Sequence, residues 1–235
     1  RSCPSTVTVA PGATVTLEPG VIVQTDSYPS YMGIVVQGGL ESIGTEAQRI
    51  TFTHVDASGQ WLGIVVDGGH ATLAHSTVEW GCSDSLRSNV RVVNSGNLVM
   101  TDSLVQECHN GSGTKAWNLL VENASASVSH STLTASEWYP IYILGRESLV
   151  TLTENVLDGN LHDRIRLGAN AMMGHDTVLT PQVVWDGYEL EATLIVTPTV
   201  TQTLEPGVII KTAADRYARR LVAPGRTDAA ATSGR

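Results

Sequence analysis

Apolar and polar residues alternate along this chain in short runs, and the runs fall into columns. GIVVQGG at 33–39 returns as GIVVDGG at 63–69. The same slot recurs as VRVVNSG at 90–96, LLVENAS at 119–125, IYILGRES at 141–148 and IRLGAN at 165–170. Taking Ile34, Ile64, Val90, Leu119, Ile141 and Ile165 as one column, the steps are 30, 26, 29, 22 and 24 residues. In a second column, Leu73, Met100, Val128 and Leu152 are each followed five residues later by Val78, Val105, Leu133 and Leu157. ITFTHV at 50–55 reads as a shorter member of that series, with Phe52 leading.

Period-two alternation without a 3.6-residue period predicts strands, and the 22–30 residue recurrence predicts a coil repeated along one axis. A single coil cannot bury its inward residues. Stacked coils bury Ile34, Ile64 and Val90 on one another and form a continuous core. An antiparallel sandwich also has many short strands, but it does not repeat side-chain slots in register.

Ser76, Ser103, Ser131 and Asn155 each stand three residues after a column leader. A polar residue repeating at an otherwise apolar bend predicts an inward ladder, bonded from coil to coil and to turn backbone. His54, His75, Asp102, His130 and Glu154 lie next to or near those slots. Stacking would set them roughly 5 Å apart, close enough for a divalent metal, but the mixed residue types fit a tolerant outer corner better. Cys82 and Cys108 are 26 residues apart, one coil, which predicts a disulfide and with it an oxidising, extracellular compartment. Cys3 is left over. Asn110-Gly111-Ser112 and Asn123-Ala124-Ser125 match the glycosylation acceptor pattern.

A longer period overlies these columns. TLEPGVIVQ at 16–24 returns as TLEPGVIIK at 203–211, an offset of 187 residues. The chain is expected to hold one repeat unit over 1–190 and the start of a second, incomplete unit over 191–235, its tail mobile. Pro11-Gly12 and Pro19-Gly20 mark turns between the opening strands. These runs, with QRITFTHVDASGQWLGIVVDGGHATLAHSTVEW and the lead-in VVWDGYELEATLIV at 183–196, resemble the repeats of large secreted and cell-surface bacterial and archaeal β-helix proteins, within the pectate-lyase-like superfamily. The resemblance implies an all-β, right-handed parallel β-helix (solenoid) of about 7–8 coils. Because the second unit stops early and open coil ends need a cap, the expectation is an excerpt of a longer repeat protein, or a protomer that stacks end to end.

Composition narrows the function classes. Hydrophobic residues make up 42% and charged residues only 16%, enough for a core and poor in the basic clusters that nucleic acid or anionic membranes require. The net charge of −9 points the same way. No run of 18 apolar residues appears, so no membrane insertion is expected.

Polysaccharide lyases and hydrolases are common on the fold the resemblance implies. A hydrolase of that kind needs two facing carboxyl groups. Here Gly174-His175-Asp176 and Arg164-Ile165-Arg166 are crude echoes of such sites, no Asp-Asp pair occurs, and Arg164 and Arg166 read as a solvated strand face. No catalytic residue, cofactor or metal is therefore expected. Trp61, Trp80, Trp117, Trp138 and Tyr139 read as outward, coil-edge aromatics that either cover bends and loops or offer a strip on which a sugar could stack. The expectation is an extracellular structural or adhesive β-helix: a rigid stalk or filament subunit, self-associating or continuing through its open coil ends. The alternative is a carbohydrate-active module, either lyase, hydrolase or glycan-binding.

Overall fold

A computed structural model describes residues 6–25, 32–55, 61–82, 87–109, 115–212, 221–222 and 226–229. Every regular element among them is a β-strand, and every strand pairing is parallel. The chain is an all-β, parallel β-solenoid of about seven turns.

Three sheets form its faces. The first has nine strands: Val7–Val9, Ile34–Val36, Ile64–Asp67, Ser88–Val93, Trp117–Glu122, Tyr139–Leu144, Ile165–Leu167, Tyr188–Leu190 and Ile210–Thr212. Ile34 lies beside Ile64, Ile64 beside Val90, Val90 beside Leu119, Leu119 beside Ile141, and Ile141 beside Ile165. Coil length varies in the loops, whereas the strands keep register because a slip by one residue would turn the aliphatic row outward.

The second face has six strands: Thr14–Leu17, Gly39–Ile43, His70–Ala74, Asn97–Thr101, Ser125–Ser129 and Leu149–Thr153. Leu73, Met100, Val128 and Leu152 lie side by side on it. The third face runs through Ile22–Thr25, Ile50–His54, Ser76–Glu79, Leu104–Gln106 and Thr132–Leu133. Phe52 belongs to this third face, beside Val78, and does not lead the second column. The residue beside Leu73 is Ser42, because residues 44–49 form a loop that stretches the usual five-residue step to ten.

The column residues form one buried cluster along the axis, and full burial of each aliphatic side chain is worth about 1.5–3 kcal/mol. Gly63, in the run Trp61-Leu62-Gly63-Ile64, occupies a position that needs glycine. It has φ +78°, and a Cβ there would stand 2.3 Å from the Asn89 carbonyl oxygen.

Beyond residue 190 the faces are dealt differently. Thr201–Leu204 pairs with Thr177–Leu179 on one side and Arg226–Ala229 on the other. Leu194–Ile195 pairs with Leu221–Val222 in a separate two-stranded sheet. Ile210–Thr212 extends the first face beside Tyr188–Leu190, so first-face pairing runs across position 190. Of the tail over 213–235, only 221–222 and 226–229 lie within the described residues.

Candidate functional site

The bend between the second and third faces is built on left-handed backbone. His75, Asp102, His130 and Glu154 have φ of 44°, 49°, 49° and 52°. That conformation turns the chain and directs the next side chain inward. Ser103 Oγ accepts from the Ser76 amide at 3.0 Å, Ser131 Oγ from the Ser103 amide at 3.1 Å, and Asn155 Oδ1 from the Ser131 amide at 3.0 Å. Ser103 Oγ also donates to the Thr101 carbonyl, and Ser131 Oγ to that of Ser129. Each rung thus satisfies a buried amide of the preceding turn.

The ladder extends further than its serines suggest. Ser42 and Ser76 share a hydroxyl hydrogen bond of 2.9 Å, and Gln182 Oε1 accepts from the Asn155 amide at 3.1 Å. Leu179, Gln182 and Val184 keep the same three- and five-residue spacing, so Gln182 was detectable once Gln is allowed for Ser. A second ladder lies at the other corner. Asn89 Nδ2 donates to Asn118 Oδ1 at 2.9 Å, and Asn118 Nδ2 to the Thr134 carbonyl at 2.8 Å. Its signal is that Asn89 and Asn118 each stand one residue before a first-face column residue.

Of the predicted polar column, His75, Asp102, His130 and Glu154 hold equivalent bend positions in successive turns, and only His54 departs. His54 is buried at the end of a third-face strand, edge-on to Trp80 at 5.7 Å. His130 Nε2 and Glu154 Oε2 lie 3.1 Å apart, both side chains exposed. Among the described residues no group of three ligating side chains could hold a metal ion.

Cys82 and Cys108 form a disulfide with Cα atoms 5.1 Å apart. Both are fully buried against Ala116, with Trp138 packed on them. Cys3 and Asn110 lie outside the described residues. Asn123 is exposed, and its Oδ1 accepts from the Glu147 amide.

The five aromatic candidates do not form an outward strip. Trp61 is 1% exposed, a core residue whose Nε1 donates to the Glu79 carbonyl at 2.7 Å. Tyr139 is also buried, since its strand position faces Glu189 and Arg166. Trp80, Trp117 and Trp138 are half-buried. Trp80 contacts His54 and His109, Trp117 stacks on Tyr142 at 4.9 Å, and Trp138 meets His162 edge-on.

Arg164 and Arg166 are not a solvated face. Arg164 Nη1 donates to Glu189 Oε2 at 2.8 Å, and Arg166 Nη2 to Glu191 Oε1 at 3.0 Å. Tyr139 and Tyr142 donate to Glu189 and Glu191 respectively. Burial and the neighbouring Glu189 carboxylate push the Tyr139 hydroxyl up to about 12. Burial alone would raise Glu189, but the hydrogen bonds from Tyr139 and Arg164 outweigh it and hold the carboxyl below its ordinary value. Such a carboxylate stays ionised near neutral pH and is a poor proton donor.

Beside this network lies a groove lined by Lys115, Trp117, Trp138, Tyr142, Arg166 and Glu191. Its chemistry, two indole rings and a paired guanidinium and carboxylate, suits hydroxyl-rich ligands. Comparison with known protein families, curated proteins and solved structures yields no match.

Proposed function

We propose that this chain is a rigid structural unit of an extracellular or cell-surface repeat protein, a right-handed parallel β-helix serving as a stalk, adhesin or filament segment. One observation carries the reading: aliphatic columns and a side-chain hydrogen-bond ladder run together through consecutive turns without a break. A column in which every turn is bonded to the next resists bending and axial shear. The right hand is the one that nearly all parallel crossovers adopt. The buried disulfide supports an oxidising compartment. Neighbouring units would be met through the open coil ends, and the reading assigns no catalytic step.

Thr14–Leu17 and Thr201–Leu204 are seven strand spacings apart, five along the second face, one across the contact of Leu149–Thr153 with Thr177–Leu179 and one more to Thr201–Leu204, so each 187-residue unit should lengthen a rod by about 33 Å. Several copies of residues 7–193 joined in tandem should therefore appear by electron microscopy as straight rods growing by that step. Beads on a flexible string would sink the proposal.

The groove beside Trp117 and Trp138 favours a second reading, glycan binding. Titration with hexose and uronate oligomers, followed by tryptophan fluorescence, decides it: saturable binding lost in Trp138→Ala supports the reading, and no binding removes it.

A further inference from the structure

The 187-residue period places one sequence element in this structure twice, once with an open edge and once covered. In the covered copy, Gln202, Thr203 and Leu204 pair with Thr177, Val178 and Leu179 of the preceding turn. Ile210, Lys211 and Thr212 pair with Tyr188, Glu189 and Leu190 of that turn. Their counterparts 187 residues earlier are Val15, Thr16 and Leu17, and Val23, Gln24 and Thr25. Among the described residues, no strand pairs with the outer edges of Thr14–Leu17 and Ile22–Thr25.

The apolar side chains match as well. The joint closes around Leu179 and Leu190 from one turn and Leu194, Leu204 and Ile210 from the next. The counterparts of the last three are Val7, Leu17 and Val23, all apolar. Leu194 is 3% exposed, whereas Val7 is 59% exposed although it lies in the inward column beside Ile34. An inward aliphatic residue and two strand edges left open together form a surface whose complement the same molecule displays elsewhere.

We infer that the open edge of the first turn is a docking surface for the closing turn of another solenoid unit, a turn of the kind formed by residues 165–190. The inference rests on the structural reading above and adds the strand pairing. The incoming turn sets its Thr177–Leu179-like strand on Val15–Leu17 and its Tyr188–Leu190-like strand on Val23–Thr25. The first face of one unit therefore hands over to the third face of the next. An intact second copy does not supply this contact, because its own 165–190 turn is already covered by residues 194–212.

The test joins residues 165–193 ahead of Val7, the spacing that sets them ahead of Leu194, and follows amide hydrogen exchange by mass spectrometry. Exchange in Val15–Leu17 and Val23–Thr25 should slow about tenfold or more relative to the unextended chain. Segments in the middle of the solenoid should not change, which also reports that the extended protein folds. Unchanged exchange at both edges would overturn the inference. Equal protection from a scrambled 165–193 segment would overturn it too, as would concentration-dependent protection of these edges in the unextended chain. Straight tandem rods without this protection would leave the stalk reading standing and remove only the docking register.

Discussion

Ile210 lies beside Tyr188 on the first face, although Val23, its counterpart directly after the repeated TLEPGVI sequence, lies beside Phe52 on the third. The same residues therefore serve two faces, according to which turn lies beneath them. Strand sequence specifies an inward side and an outward side. It does not specify which wall of the solenoid the strand joins.

Ser103 sits mid-ladder with its oxygen bonded to the Ser76 amide. Ser103→Ala leaves that buried N–H without an acceptor and should destabilise the protein by about 1–3 kcal/mol in urea titration. Ser127→Ala, on an exposed strand position, should stay within about 0.5 kcal/mol. Equal effects would mean the ladder adds nothing.

Reduction under denaturing conditions should raise the intact mass by the two hydrogens of one opened disulfide. The double variant Cys82→Ala/Cys108→Ala should lose roughly 2–4 kcal/mol, the usual effect of releasing a loop of this size. An unchanged denaturation midpoint would show that the bridge only decorates a rigid scaffold.

Trp61 fills the core, and Trp61→Ala should cost about 3–5 kcal/mol. Trp138→Ala, at the half-buried groove wall, should cost only about 1 kcal/mol. The reverse order in thermal melts would place Trp61 at the surface after all.

Glu189 is held below its ordinary value of 4.5 in the folded protein. Because the folded value is the lower one, its stabilisation is complete above that pH and fades as pH falls from 4.5 toward the depressed value. Glu189→Gln should flatten the acid limb of a melting-temperature profile below about pH 4.5. A limb of unchanged slope would show that other carboxylates carry it.

Glu154 adopts φ 52°, where a non-glycine residue is strained. Its contact with His130 is exposed and contributes little. Glu154→Gly should therefore stabilise the protein by about 0.5–1 kcal/mol in urea titration. Destabilisation would show that the side chain matters more than the bend.

The columns from Ile34 to Ile165 and from Leu73 to Leu152, the rungs from Ser76 to Asn155 and the Cys82–Cys108 bridge were all legible in the sequence. Parallel stacking sets equivalent positions of successive turns beside one another, so a fixed offset in sequence becomes contact in space. Only the tertiary structure could decide three other matters: the burial of Trp61, the joining of Tyr142, Arg166 and Glu191 into one network, and the move of Ile210 to the first face. Each depends on corner geometry and loop length, which vary from turn to turn and leave no period to read. Alternation dictates which residues point inward; the turn already in place dictates which wall they complete.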